Sequence, residues 1–134
     1  MPYTLSNEGI ILIFKFNKEM TEKDFNELLS IFNKCLIRQK PFAFIVDASE
    51  STLAPFTCAI KLVSWMKNNK SNIKKYLIAS CLITNYTKLI EIIKWVFKQQ
   101  PPSSPNIITK NIEEGREYIF KHVNDYYDNE DDDD

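Results

Sequence analysis

FAFIVDASESTLAPFTCAIKLVSWMKNNKSNIKKYLIASCLIT, residues 42–84, carries the reading of the fold. It opens on a short aromatic and β-branched run, 42–46, without polar alternation, which predicts a strand covered on both faces. Pro55, a favoured first helical residue, leads into Phe56, Ala59, Ile60, Val63 and Met66 at helical spacing, to about Asn69. LIASCLIT at 77–84 is a second buried strand by the same criteria. A strand, a helix and a strand in succession form a crossover unit, which requires parallel pairing and a right-handed connection.

The flanks extend this unit in both directions. Upstream, Asn-Glu-Gly at 7–9 separates a short extended stretch, 3–6, from IILIFKF at 10–16, and the pair reads as an antiparallel hairpin. Thr21 with Asp24 resembles a capping box, and Phe25, Leu28, Leu29, Phe32 and Leu36 follow on one helical face that ends before Pro41. Downstream, Leu89, Ile92, Ile93 and Val96 mark a helix stopping at Gln99, ahead of Pro101 and Pro102. NIIT at 106–109 is a further strand. Asn111 with Glu114 caps a last helix seated by Ile112, Ile119 and Val123. The expected fold is α/β, in the order ββαβαβαβα, with a mixed, mostly parallel sheet and an amino-terminal antiparallel hairpin. Ligands of such sheets approach the carboxyl ends of the strands, here residues 47–54, 84–87 and 109–111.

A chain of 134 residues with 44% apolar and 26% charged side chains fits one globular domain, expected over residues 1–124. Its apolar runs, such as 10–14 and 77–83, fall far short of the ~20 residues of a membrane span. The opening MPYTLSNEG has neither a basic stretch nor an apolar segment of signal length, so the expected location is cytoplasmic. Cys35, Cys58 and Cys81 are odd in number and lack a CxxC pair, which fits buried reduced thiols. With one histidine, His122, no four-ligand zinc set can be assembled, and no cofactor is expected.

Charge is unevenly spread. Residues 125–134, DYYDNEDDDD, hold seven acids and no base, and an acidic block of this kind is expected to be a disordered tail. Residues 1–124 carry 17 basic against 11 acidic side chains, a formal +6. Between 61 and 110 there are nine lysines and one acid, Glu91. The tail either folds back on this basic face or merely solubilises the chain.

Catalytic patterns are missing. No loop contains GxGxxG or GxxxxGK[ST], so the familiar phosphate cradles are excluded. Asp47, Thr84 and Lys110 stand at the ends of three strands and superficially resemble the phosphoacceptor constellation of receiver domains. That likeness fails on topology, since only one helix fits between Phe16 and Phe42, and Asn17-Lys18 stands where an acidic pair is needed. Ser49, Ser51, Thr52 and Thr57 cluster before and at the second helix, where hydroxyls cap orphan amides; Ser49, Ser51 and Thr57 are also phosphorylation candidates. Aromatic placement is more telling. On the third helix of the expected order Lys88, Glu91, Lys94, Trp95 and Lys98 share a face, and Trp65 with Lys61 sits similarly on the helix after 55. Either neighbouring helices cover both indoles, or a basic face with tryptophan docks an acidic protein partner or an anionic lipid surface. Nucleic acid is not expected, because the two arginines, Arg38 and Arg116, lie outside the lysine-rich stretch.

FIVDASES at 44–51 and KLIEIIKWVFKQQPPSSPNIITKNIEEGREYIF at 88–120, taken with the element order, resemble the STAS-like or SpoIIAA-like superfamily, in particular its small STAS/SEC14-type members. The second stretch is similar to that group's helix, proline-bearing loop, short strand and final helix start, with Gly115 in the place of Ala. The resemblance covers about residues 5–122. It implies a non-enzymatic module for regulatory protein interaction or for binding small apolar ligands or lipid. It also places Thr57, in LAPFTCAIK at 53–61, near a phosphorylatable serine of the anti-sigma-factor antagonists, without that motif's Asp, neighbouring Ser or Gly.

Two functions follow as expectations. One is docking through the 48–57 loop and the following helices, with Asp47, Phe56, Lys61, Trp65, Lys94, Trp95 and Lys98 on the surface. The other is an apolar pocket between the second helix and the sheet, lined by Phe56, Ile60 and Val63. Oligomeric state stays open, since an edge strand or an exposed tryptophan serves a homodimer as well as a foreign partner.

Overall fold

The computed structural model describes the backbone of residues 1–132 and the side chains of residues 1–129. Five strands, β1 (Tyr3–Glu8), β2 (Ile11–Phe16), β3 (Phe42–Asp47), β4 (Leu77–Ile83) and β5 (Asn106–Thr109), form one sheet whose spatial order is the chain order. β1 pairs antiparallel with β2 in the register Glu8 to Ile11 through Tyr3 to Phe16; all later pairs are parallel. The α/β class and the antiparallel first pair are as the sequence predicts. Gly9 closes the hairpin at φ +61°, a conformation that favours glycine.

Alternation within the strands separates two cores. Leu12, Phe14, Phe16, Phe42 and Phe44 point to one face of the sheet; Ile11, Ile13, Ala43, Ile45 and Cys81 point to the other. The first face is covered by α1 (Glu22–Ile37), α2 (Phe56–Asn68), α3 (Lys70–Tyr76) and α4 (Thr87–Gln99), the last chiefly through Leu89 and its contacts with α2. The second face is crossed by α5 (Ile112–Asp132), through Ile119 and Val123. None of the helices described is long and apolar enough to cross a membrane.

Local chemistry fixes the helix ends. Thr21 Oγ1 accepts the Asp24 amide at 3.1 Å, while Asp24 Oδ2 is buried without a hydrogen-bond partner among the described residues. Only one half of the expected capping box is thereby accounted for. Asn111 caps α5 by accepting the Glu113 amide at 2.7 Å.

Two features depart from expectation, and a third concerns how α5 lies on the sheet. α3 continues almost directly from α2 and is not apparent in the sequence, because Ile73 is its one buried position in a lysine-rich run. α5 does not stop at 124: the acidic stretch expected to be disordered is helical through Asp132, and residues 133 and 134 lie outside the described residues. Gly115 is buried where α5 lies on the sheet, and a Cβ there would stand 2.8 Å from Cys81 Sγ and 3.5 Å from Thr109 Cγ2. Its smallness sets how closely α5 approaches the sheet.

Candidate functional site

The carboxyl ends of the parallel strands are polar but locally satisfied. Asp47 is buried, and its Oδ1 accepts the Ser49 amide at 3.0 Å and the Ser49 hydroxyl at 2.6 Å. Thr84 Oγ1 accepts the Tyr86 amide, and Thr109 Oγ1 the Asn111 amide. These side chains hold turns. Asp47 therefore does not present itself on a docking surface, a correction that follows from its burial at the carboxyl end of β3. Ser51 is also fully buried, and its hydroxyl donates to the Lys18 carbonyl at 2.8 Å, so as placed it is a tie between loops rather than an accessible phosphorylation site. Ser49 is half-buried against Asp47, which leaves Thr57 as the exposed hydroxyl of the three.

Thr57 lies in the first turn of α2, with its Oγ1 3.5 Å from Glu22 Oε2. Lys61 donates to Glu22 Oε1 at 2.6 Å and to Asn26 Oδ1 at 3.2 Å, joining α2 to α1. The hydrogen bond and charge of Lys61 hold the Glu22 carboxyl below its ordinary value. A carboxylate whose value is lowered in the fold adds stability that is complete above the unfolded value and fades as pH falls through the folded one. Lys61→Met is expected to return the Glu22 titration, followed by carboxyl NMR, toward the ordinary range; an unchanged titration would show that this pair is not formed in solution.

Two indoles, similar in sequence context, have different fates. Trp65 is half-buried, edge-on to Phe32 at 5.0 Å, and its Nε1–H donates to Asn33 Oδ1 at 2.7 Å. α1 packs against one side of it through Phe32 and Asn33. Trp95 on α4 is 36% exposed and packs 4.9 Å from the ring of Phe56, itself 54% exposed at the start of α2. Ile60, one turn beyond Phe56, is also exposed, as are Leu53, Lys94 and Lys98. The structure thus brings Phe56 and Trp95 together, apart from buried Asp47 and from Trp65, which packs on Phe32.

Behind α2 lies a cavity of about 140 Å³. Phe32, Leu62, Trp65, Met66, Leu82 and Phe97 supply part of its almost wholly apolar wall. Phe56, Ile60 and Val63 do not line it. The residues of α2 that do line it are Leu62, Trp65 and Met66, whereas Phe56 and Ile60 are exposed and Val63 packs with Ala59 and Val96. On the same face of the sheet the Asn106 amide donates to Ser80 Oγ at 2.7 Å, satisfying two polar groups in the cavity wall.

A second concavity of about 270 Å³ opens at the amino end of β4, between α3, the 103–105 loop and α5. Lys74, Lys75, His122 and Asp125 are on its wall. His122 packs 4.5 Å from the Tyr118 ring and lies at the opposite end of the sheet from Asp47, so the two do not converge. Burial raises the thiols of Cys35 and Cys58 above their ordinary value and pushes Cys81 up to about 12, with Glu114 and Asp47 adding to the last. Among the described residues no group of three or more His, Cys, Asp or Glu is placed to hold a metal ion. The chain matches no protein-family model and no curated protein.

Proposed function

We propose that this chain is a STAS-like, non-catalytic interaction module that docks an acidic protein partner through the outer side of α2 and α4. The observation that carries this reading is the Phe56–Trp95 pair, two aromatic rings in mutual contact and open to solvent. Leu53 and Ile60 enlarge the exposed apolar area, and Lys94 and Lys98 give its α4 side positive charge. Clustered exposed apolar side chains mark interaction sites, and aromatic anchors supply much of the binding free energy there. What supports the family reading is the element order with its antiparallel first strand.

The test is quantitative cross-linking in lysate from the native source with the full chain as bait. The double variant Phe56→Ser/Trp95→Ser is expected to lose at least about tenfold of specific capture, the effect of one or two aromatic anchors. Thr57→Glu is expected to weaken capture as well, because a negative charge beside Phe56 repels an acidic partner. Equal capture by the native chain and the double variant would remove this surface from consideration.

A second reading is favoured by a separate observation, the apolar cavity behind α2. At about 140 Å³ it is close to the ~150 Å³ engineered apolar cavity known to admit benzene. A small apolar ligand fits this space without any change in the docking surface.

A further inference from the structure

The cavity and the basic cleft share a border. Leu77, Ser103 and Ser104 belong to the walls of both. On one side of this border the surroundings are almost wholly apolar. On the other side stand Lys74 and Lys75 from α3 and His122 from α5, with Asp125 as the opposing charge. The serines themselves are half-buried, and neither hydroxyl has a hydrogen-bond partner among the described residues. Both can therefore turn toward a polar atom lying between the two spaces.

We infer that cavity and cleft are the two halves of one site for a small anionic amphiphile, with the apolar part behind α2 and the negative head between Lys74, Lys75 and the two serines. This rests on the small-ligand reading of the cavity and adds the chemistry of the head group. The cavity limits the apolar part to roughly six carbons, the size of a benzene ring. A chain of about eight carbons then brings a carboxylate past Ser103 and Ser104 into the cleft. Among the described residues two lysines stand against one aspartate, which favours an anion, and the lysine ammonium groups supply donors without acceptors. An isolated polar head inside the cavity would be penalised by desolvation, so the arrangement also fixes which end enters.

Trp65 lines the cavity and Trp95 does not, so Trp95→Phe leaves a single indole that reports occupancy. The experiment titrates octanoate, octan-1-ol and octylamine into this variant and follows Trp65 emission. Octanoate is expected to bind about tenfold more tightly than the alcohol, the gain of two partly exposed charge contacts, and octylamine more weakly than either. Lys74→Gln/Lys75→Gln is expected to abolish the preference while leaving octan-1-ol binding unchanged, which also shows that the variant is folded. Asp125→Asn is expected to widen the preference. Equal binding of octanoate and octan-1-ol, or a preference that survives loss of both lysines, overturns the head-group assignment and leaves the small-ligand reading standing. Absence of binding by all three overturns both.

Discussion

Phe32→Ala is expected to lower the free energy of unfolding by about 3–5 kcal/mol, the usual result of removing a large buried ring. Phe32 lies on α1 and stacks on Phe44 at 4.1 Å and 17°, with Phe42 and Trp65 edge-on at 5.9 and 5.0 Å. Its removal therefore takes away one helix's main anchor on the central strands and enlarges a cavity that the fold already contains. Against a total stability of about 5–15 kcal/mol for a domain, this is a large fraction. Urea titration should show a lower midpoint at unchanged slope, which separates lost stability from an altered unfolded state. Phe32→Leu keeps more volume and is expected to cost less than about 1.5 kcal/mol. A Phe32→Ala loss no larger than that of the leucine variant would mean that the ring is not packed between α1 and the sheet.

Gly115→Ala is the second large effect. In an exposed helix the change would add up to about 1 kcal/mol of stability, because glycine is the poorer helix former. Here the new methyl meets Cys81 Sγ at 2.8 Å and Thr109 Cγ2 at 3.5 Å, so α5 must shift or the sheet must yield. Overpacking of this kind costs about 1–3 kcal/mol and reverses the sign. Cys81→Ala removes the sulfur at the closest contact, and the double variant is expected to be markedly more stable than the sum of the single changes predicts. Thermal or urea unfolding of the four proteins in this cycle measures that coupling. Strict additivity would show that α5 does not rest on Cys81.

What was legible in the sequence follows from how strongly each element's pattern is constrained. β3 and β4 announce themselves because apolar residues on consecutive positions suit strands inside a covered sheet; β3 is buried almost throughout, whereas β4 is buried at alternate positions and half-buried between them. α1 is equally plain, since its apolar residues fall on one arc. α2 is different: Phe56, Ile60 and Val63 form one helical stripe, while Cys58, Leu62 and Trp65 form another. Periodicity alone does not say which stripe meets the sheet, so it points to Phe56, Ile60 and Val63 where the fold lines the cavity with Leu62, Trp65 and Met66. The same ambiguity separates Trp65, held by Asn33 and Phe32, from Trp95, which stays open. The basic cleft had no signal along the chain, for its walls come from α3, the 103–105 loop and α5, which only the fold brings together.

Strand neighbours in space are also neighbours along the chain, from β1 at one margin to β5 at the other. Growth of the pleated layer during synthesis then needs no insertion between strands already paired: each emerging segment adds to the free margin left by its predecessor. The hairpin of β1 and β2 can zip before the remainder exists, a step that takes microseconds in isolated hairpins. α5 follows β5 in the chain and lays Arg116 against Glu8, so that it also ties back to the first strand. Until α5 docks, the Ile11, Ile13, Ala43 and Ile45 face is uncovered, and a nascent chain stalled before Ile112 would present that face to chaperones.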